Sequence, residues 1–305
     1  MFARRLQERS RLLQAVRSFF VSRGYLEVDT PIRLPVPLPE VHIKPFVSEG
    51  WFLHSSPEQC MKRLLARGYP QLFQICHCFR QEEVGCYHQA EFAMLEWYRT
   101  GWSYRELMDE CVEFLRQLVG AVPGLDGVRD VDTLQWQGRP ISLAPPWSRL
   151  TVAEAFYAYA DMTVAEALAA DMFEEVLVTR IEPRLGWDTP LFLYDYPVEL
   201  GSLARRKQDD DRVAERFELY IGGIEIANGF SELIDPEEQR RRFAAEMNKA
   251  RELGNPYPEL PEKFLADLAN VGDTAGIALG LDRLFMLLLG CATVAEVVCM
   301  PAEEL

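Results

Sequence analysis

The sequence FRQEEVGCYHQAEFAMLEWY, residues 79–98, places an arginine and several carboxylates in a segment that otherwise reads as strand, turn and strand. Side chains alternate between the two faces of a strand. This alternation predicts one shared face for four residues of the second strand: Phe92, Met94, Glu96 and Tyr98. If the first strand continues to the turn, Arg80 and Glu82 share a face as well. Such charges beside an aromatic ring suit a zwitterionic or nucleotide ligand, and a half-buried hairpin with ordinary ion pairs is the alternative.

The whole chain has the composition of a globular protein. Its 305 residues are 49% hydrophobic and 26% charged, which suffices for one large domain or two of ordinary size. No apolar run approaches the roughly 20 residues that span a bilayer. The N-terminal segment MFARRLQERSRLLQAVRSFF has the pattern of an amphipathic helix and lacks the features of a signal peptide. We therefore expect a cytoplasmic protein with no membrane partner.

The formal net charge of -15 bears on the choice of partner. Proteins gain most of their affinity for nucleic acids from lysine and arginine contacts to phosphate. An acidic chain of this kind is therefore poorly suited to extended RNA binding, and the charge disfavours tRNA as a partner.

The cysteines raise the question of a zinc site. Cys76, Cys78 and Cys86 lie close in sequence to His77 and His88, and these are residue types that zinc binds. The seven cysteines include no C-x-x-C pair, and they show no disulfide framework spacing. We therefore predict reduced thiols, and the spacing argues against a metal–thiolate site.

The order of predicted helices and strands indicates one α+β domain over residues 1–305. A helix over residues 4–23 comes first, followed by the hairpin of the opening stretch. Later strands are predicted at LFLYDY, FELYIGGIEIANGF and AGIALG. We expect a mostly antiparallel sheet flanked by helices, with a helical insertion near residues 151–185.

A second hairpin, FELYIGGIEIANGFSEL, carries two glutamates that suggest a metal site. A two-residue turn at Gly222–Gly223 predicts that Tyr220 pairs with Glu225 and Glu218 with Ala227. Glu218 and Glu225 then share one face, where two like charges destabilise a sheet unless a cation joins them. Magnesium held by carboxylates and phosphate oxygens fits this pattern, and two solvated glutamates are the alternative.

The third informative stretch is GIALGLDRLFMLLLG, a strand of small residues followed by an apolar helix. Gly276, Ala278 and Gly280 let a ligand approach the strand backbone closely. Arg283 lies at the start of the helix, where it either clamps a phosphate or extends its charged end to solvent. The chain contains neither a Walker loop nor a dinucleotide-binding fingerprint.

Together these stretches resemble the catalytic core of the class II aminoacyl-tRNA synthetases of the lysyl type. FRQEE…HQAEFAMLEWY resembles the second motif of that family, and GIALGLDRL resembles the third. The long helix ending at YLEVDTPI resembles the first, dimer-forming motif, with Pro31 as its proline. SSPEQCMKRLL and IEIANGFSELIDPEEQ match lysyl-type segments. The resemblance implies a class II antiparallel sheet flanked by helices, ATP as substrate, bound Mg2+ and a homodimer.

The resemblance also implies roles for individual residues around ATP. Arg80 and Arg283 are the implied catalytic residues, with Arg80 on the α-phosphate and the substrate carboxylate. Phe92 stacks on adenine and Arg283 covers its other side, where it also holds the γ-phosphate. Glu82 reads the adenine amino group, and His88 approaches the γ-phosphate. The implied ATP-binding set is Arg80, Gln81, Glu82, His88, Gln89, Phe92, Glu225, Ile226, Gly280 and Arg283. Glu218 and Glu225 are the implied magnesium ligands.

The implied substrate is an amino acid with two amino groups. Glu58 and Glu96 would hold the amino group near its carboxylate, while Tyr98, Asn228 and Glu232 would hold the distant ammonium. The implied substrate-binding set is Ser56, Pro57, Glu58, Glu96, Tyr98, Asn228, Glu232 and Ala278.

Two departures from the tRNA-charging pattern concern the acceptor. The dimer-motif helix starts almost at Met1, so no anticodon-binding domain is expected before the core. Ala278 stands where tRNA-charging enzymes have glycine. Both features resemble the branch of the family that attaches (R)-β-lysine to a lysine of elongation factor P. Gln81, Gln89 and Ala90 also differ from the Asn, Asn and Pro of the usual motif.

The predicted activity is therefore formation of an aminoacyl-adenylate from ATP, followed by transfer to a lysine of elongation factor P. Two alternatives remain. One is a minimal enzyme that charges tRNA or a tRNA-like RNA, and the other is a non-catalytic amino-acid-binding subunit. The sequence leaves open whether L-α-lysine or (R)-β-lysine is preferred.

Overall fold

The computed structural model describes residues 2–254, 257–301 and 304. In chain order, the strands are β1 (Leu26–Glu27), β2 (Arg33–Leu34), β3 (Val47–Ser48), β4 (Trp51–Leu53), β5 (Gln71–Phe79), β6 (Glu91–Thr100), β7 (Val128–Asp130), β8 (Thr133–Trp136), β9 (Arg139–Ser142), β10 (Ser148–Thr151), β11 (Leu191–Pro197), β12 (Val213–Ile221), β13 (Ile224–Ser231) and β14 (Thr274–Gly280). The α-helices are α1 (Phe2–Ser22), α2 (Glu58–Leu65), α3 (Tyr104–Ala121), α4 (Val152–Tyr159), α5 (Val164–Ala169), α6 (Phe173–Val176), α7 (Pro236–Glu252), α8 (Glu262–Leu268) and α9 (Leu281–Leu288).

An eight-stranded sheet in the order β1-β5-β6-β14-β13-β12-β11-β10 forms the centre of the fold. The two outermost pairs, β1 with β5 and β10 with β11, are parallel. The strand pairs between them are antiparallel. The α+β class with a mostly antiparallel sheet, predicted from the sequence, is confirmed. No helix in the described part of the chain is both long and apolar enough to cross a membrane.

Alternation along β5 and β6 separates the hydrophobic core from the opposite face of the sheet. The odd-numbered residues Phe73 and Trp97 are opposite one another and fully buried. Phe20 of α1 stacks on Phe73 with ring centroids 5.0 Å apart, and Phe114 of α3 packs against Trp97 at 5.9 Å. Burial of aromatic area of this kind dominates core energetics, so α1 and α3 are held on this face. The even-numbered residues of β5 and β6 therefore lie on the opposite face of the sheet.

Short helices occupy the region where the sequence predicts a helical insertion. α4 and α5 each begin with a capping box, formed by Thr151 with Glu154 and by Thr163 with Glu166. α6 continues into a π-helical turn and a 3-10 turn that ends at Arg184. These helices share a hydrophobic cluster with the β10–β12 side of the sheet.

The second hairpin differs from its predicted register. Tyr220 pairs with Glu225 as predicted, and both turn glycines have positive φ, 58° at Gly222 and 78° at Gly223. Further along, Glu218 is opposite Asn228 and not Ala227, so that predicted pair is wrong. The reason is a β-bulge: one extra residue on β13 shifts every later pair by one position.

Candidate active site

A cavity of about 310 Å3 lies on the face of the sheet opposite α1 and α3. Its lining includes most of the predicted site residues: Ser56, Glu58, Arg80, His88, Gln89, Phe92, Glu96, Tyr98, Glu225, Ile226, Asn228, Ala278, Gly280 and Arg283. The remaining predicted residues are absent from the lining: Pro57, Gln81, Glu82, Glu218 and Glu232. The even-numbered positions of β6 and β14 supply the floor, as strand alternation requires.

Small residues on β14 make room for the cavity between larger neighbours. Ala278 is paired with Glu96 on one side and with Asn228 on the other. A Cβ atom added at Gly276 would lie inside van der Waals contact of the Tyr98 ring and of Glu232 Oε1. Gly276 is therefore required by close packing, and Ala278 is the smallest side chain that still projects into the lining.

Arg80 is a partly buried cation that has few partners in the described part of the protein. Its guanidinium carbon lies 5.3 Å from the centre of the Phe92 ring, and the carboxylate of Glu83 is 3.6 Å away. The Nε atom is buried and has no hydrogen-bond partner among the described residues. A buried donor without a partner is costly, so Arg80 is suited to an anionic ligand in the cavity.

Arg283, at the start of α9, lies at the same end of the cavity as Arg80. It donates hydrogen bonds to the carbonyl oxygens of Tyr87 at 3.1 Å and Glu225 at 2.9 Å, and pairs with the Glu225 carboxylate at 3.2 Å. Its Nη2 atom is 2.6 Å from His88 Nε2. A guanidinium can only donate, so this nitrogen of His88 accepts and the imidazole is neutral there. Burial, together with the charge of Arg283, lowers the pKa of His88.

The opposite end of the cavity is acidic. Glu96 accepts hydrogen bonds from the hydroxyl groups of Ser56 at 2.5 Å and Tyr98 at 2.8 Å, and burial raises its pKa well above the usual range. Glu40, which the sequence analysis missed, also lines this cavity. Burial raises the pKa of Glu40 to about 7, against the opposing effect of Arg80. Glu40 follows a proline-rich loop, and nothing in the local sequence marks it as part of a site.

Glu232 lies behind the cavity wall, where it contacts a lysine. The ammonium of Lys62 forms ion pairs with Glu232 and with Glu58, the latter at 2.5 Å. Although burial opposes the charged form, these carboxylates raise the pKa of Lys62. Lys62 was also missed, but its spacing of four residues from Glu58 on a helix is a signal that could have found it.

The carboxylates of Glu182, Glu218 and Glu225 lie close to one another at the edge of the site. Glu218 accepts hydrogen bonds from Tyr196 at 2.5 Å, Tyr220 at 2.6 Å and Arg216 at 2.6 Å. Burial, and the nearby charges of Glu218 and Glu225, raise the pKa of Glu182 to about 7. The sequence analysis missed Glu182, which comes from the end of the helical region.

This acidic group fits a magnesium ion. A carboxylate has about four lone-pair positions, so the three donors to Glu218 leave it some capacity. Glu225 lines the cavity, and its side chain is 37% exposed. Magnesium takes one or two carboxylates together with phosphate oxygens, and its charge would offset the mutual repulsion of the group.

The expectation that Arg80 and Glu82 share a strand face is wrong. β5 ends at Phe79, so strand alternation does not extend to these residues. Glu82 adopts a positive φ of 69°, and its exposed carboxylate pairs with Lys44 at 2.5 Å. Glu83 lines the cavity in its place.

Comparisons with known proteins agree with this geometry. Residues 1–304 match the family described as tRNA synthetases class II (D, K and N). The chain is similar to the elongation factor P–(R)-β-lysine ligase of Edwardsiella ictaluri (strain 93-146), with 36% identity over 316 residues, which covers 98% of this chain and 95% of that protein. It is likewise similar to the ligase of the same name from Salmonella gallinarum (strain 287/91 / NCTC 13346), with 36% identity over 310 residues and the same coverage.

Proposed function

Because this chain belongs to the family of class II tRNA synthetases (D, K and N), we propose that it is an ATP-dependent ligase that modifies elongation factor P. It activates (R)-β-lysine, or lysine, as an aminoacyl-adenylate and transfers it to a lysine side chain of that factor. The names of its relatives supply the amino acid and the acceptor. One observation supports the chemistry: a single cavity is lined by two arginines and an aromatic ring at one end and by carboxylates at the other.

The arginine end of the cavity binds ATP in this proposal. The adenine ring stacks on Phe92, whose ring also contacts the Arg80 guanidinium. Arg283 covers the other face of the adenine. Arg80 holds the α-phosphate, because its Nε donor has no partner in the part of the protein that the structure describes. His88, beside Arg283, meets the γ-phosphate. The remaining contacts to ATP come from Gln89, Ile226 and Gly280, and Glu83, which lines the cavity, replaces the predicted Glu82.

The acidic end binds the amino-acid substrate. Glu58 and Glu96 hold the amino group near the carboxylate, and Ser56 orients Glu96 through its hydroxyl hydrogen bond. Tyr98 and Asn228 meet the distant ammonium, and Asn228 is oriented by Arg216, which donates to its side-chain oxygen at 3.3 Å. Glu232 acts from behind the wall through its ion pair with Lys62. Pro57 and Ala278 shape the pocket.

The chemistry consists of two displacements. An oxygen of the substrate carboxylate attacks the α-phosphorus of ATP in line, and pyrophosphate leaves. The lysine amine of the acceptor then attacks the acyl carbon, loses its proton and displaces AMP. Arg80 and Arg283 position the phosphates and neutralise the charge that develops on them. Glu218 and Glu225 would hold Mg2+, which screens phosphate charge when bound.

The proposal extends to partners and location. Since α1 carries the resemblance to the dimer-forming motif, the chain is proposed to act as a homodimer. Elongation factor P functions in translation, so the proposed location is the cytoplasm. The formal net charge of -15 favours a protein acceptor over tRNA.

The experiment that tests the function is ATP–pyrophosphate exchange followed by transfer. Purified protein is given (R)-β-lysine or L-α-lysine, and labelled amino acid is then offered to elongation factor P or to tRNA. Exchange with transfer to the factor alone supports the ligase. Label on tRNA would support a minimal synthetase, and no exchange with either amino acid would support a binding subunit.

A further inference from the structure

A cluster of one histidine and two cysteines lies beside the candidate active site. His54 directly follows β4, while Cys76 and Cys78 project from β5. One ligand atom from each of the three residues lies within 4.8 Å of the others. Cys78 is opposite Phe92 in the sheet and comes two residues before Arg80. The cluster is therefore next to residues proposed to bind ATP, but none of its members lines the cavity.

The histidine has the tautomer that metal binding requires. Its ring is 1% exposed, and Nε2 lies 2.7 Å from the carbonyl oxygen of His77. A carbonyl oxygen can only accept, so Nε2 carries the proton and Nδ1 has a free lone pair. Nδ1 is buried and, over residues 2–254, 257–301 and 304, has no hydrogen-bond partner. Metal-binding histidines typically donate their second ring N–H to a carbonyl or carboxylate in this way.

The two sulfur atoms are already spaced as a zinc ion would hold them. Cys76 Sγ and Cys78 Sγ are 3.9 Å apart. Two thiolates bound to a tetrahedral zinc at about 2.3 Å each lie roughly 3.8 Å from one another.

We propose that His54, Cys76 and Cys78 bind one zinc ion. Imidazole and thiolate ligands select zinc over magnesium, which takes oxygen ligands. The ligand set therefore separates this site chemically from the acidic group at Glu218 and Glu225. The fourth coordination position is left to water or to Met94, whose Sδ is 3.8 Å from Cys78 Sγ.

Zinc at this position would link the two ends of the active site. The carbonyl oxygen of His54 already accepts a hydrogen bond of 3.0 Å from the backbone N–H of Phe79, the residue before Arg80. His54 also precedes Ser56 and Glu58, which lie at the acidic end of the cavity. The bound ion would hold these two segments together, so its role is positional, and it would stabilise the folded chain.

The test is a zinc titration of the reduced full-length chain after removal of metal with a chelator. Competition with a chromophoric chelator is expected to give one zinc per chain, and cobalt(II) is expected to give thiolate charge-transfer absorption. Cys76→Ser and Cys78→Ser should each weaken zinc binding by about 100-fold or more. Cys60→Ser and Cys299→Ser are the matched controls and should bind zinc as the unsubstituted chain does.

A second measurement does not depend on those variants. Zinc should raise the thermal unfolding midpoint of the unsubstituted chain and leave that of Cys76→Ser unchanged, with circular dichroism confirming that both fold. No zinc binding, zinc binding that survives both cysteine substitutions, or a cobalt spectrum without thiolate bands would each overturn the proposal. A chain that binds no zinc and instead forms a Cys76–Cys78 disulfide under mild oxidation would overturn it as well.

Discussion

Lys62 and Glu232 form an ion pair in which neither side chain is more than 1% exposed. Glu58 is the second partner of the same ammonium, and its side chain also faces the cavity. One cation therefore lies between two carboxylates, and burial raises the pKa of Glu232 to about 8, against the opposing charge of Lys62. These groups lie next to the pocket proposed for a substrate ammonium, so Lys62 affects the potential of the pocket as well as the stability of the fold.

Replacing Lys62 is expected to destabilise the protein strongly. Lys62→Met leaves two buried carboxylates without a counter-charge, and breaking a buried pair in this way costs about 3–5 kcal/mol. The free energy of unfolding, measured by urea denaturation, is the readout. Lys263→Met, at an exposed position of α8, is the control and should change stability little. A loss below about 1 kcal/mol for Lys62→Met would show that the pair is not significant for stability.

Arg80 is expected to be essential for the adenylation step. Arg80→Ala removes the cation proposed for the α-phosphate, and loss of one such charge-stabilising donor typically lowers the rate by about 100- to 1000-fold. ATP–pyrophosphate exchange measures this step alone. Arg67→Ala, which replaces an exposed arginine after α2, should leave exchange unchanged. Undiminished exchange by Arg80→Ala would rule out the proposed role.

The two small residues of β14 are expected to respond differently to substitution. Ala278→Gly enlarges the pocket beside Glu96 by one methyl group, so it should change the preference between (R)-β-lysine and L-α-lysine by about 1–3 kcal/mol. Gly276→Ala places a methyl group against Tyr98 and Glu232 and should impair activation of both amino acids. The ratio of kcat/KM values for the two amino acids distinguishes these effects. An unchanged ratio for Ala278→Gly would show that Ala278 does not set the preference between the two amino acids.

Stability is expected to depend on pH through Glu40. Burial raises its folded-state pKa from 4.5 to about 7, so the folded chain binds this proton more tightly than the unfolded chain. The stabilisation that this bound proton gives the folded state is complete below about pH 4.5, and it is lost as the pH rises to about 7. Glu40→Gln, which stays neutral, should flatten this part of the stability profile. Glu182 titrates in the same range and is present in both proteins, so the difference between their denaturation profiles isolates Glu40. Parallel profiles would contradict the assignment.

The Mg2+ concentration that ATP–pyrophosphate exchange requires is expected to depend on Glu225. Glu225→Gln removes a charged oxygen ligand and should raise the Mg2+ concentration for half-maximal exchange by about tenfold or more. Glu175→Gln, at an exposed position on α6, is the matched control. If both variants require the same Mg2+ concentration as the unsubstituted protein, Glu225 is not a ligand.

The strand assignments were predicted well where local geometry decides them. Alternation along β6 correctly placed Phe92, Glu96 and Tyr98 on one face, because side-chain direction in a strand depends only on sequence position. The same reasoning failed where regular structure ends. Glu82 lies beyond the last residue of β5, and a bulge in β13 moved Glu218 opposite Asn228. Neither the strand end nor the bulge has a marker in the local sequence.

The residues that we propose to bind zinc come together only in the tertiary structure. The sequence argument weighed neighbours such as His77 and Cys86, found no C-x-x-C pair and disfavoured a metal site. In the structure His77 pairs with Glu91 at 2.7 Å, while His54, which follows β4, lies close to Cys76 and Cys78 of β5. The number of residues between ligands along the chain says little when the ligands come from separate segments.

The sequence by itself determined the family, the strand and helix plan and two arginines of the cavity lining, because these depend on short motifs and on the repeat of a strand or helix. Only the tertiary structure decided which distant carboxylates meet. Glu40 reaches the site along a loop, and Glu182 comes from the end of a helical region. Lys62 is connected to the site through an ion pair that joins two elements. Such contacts depend on how the whole core packs, so no local pattern specifies them.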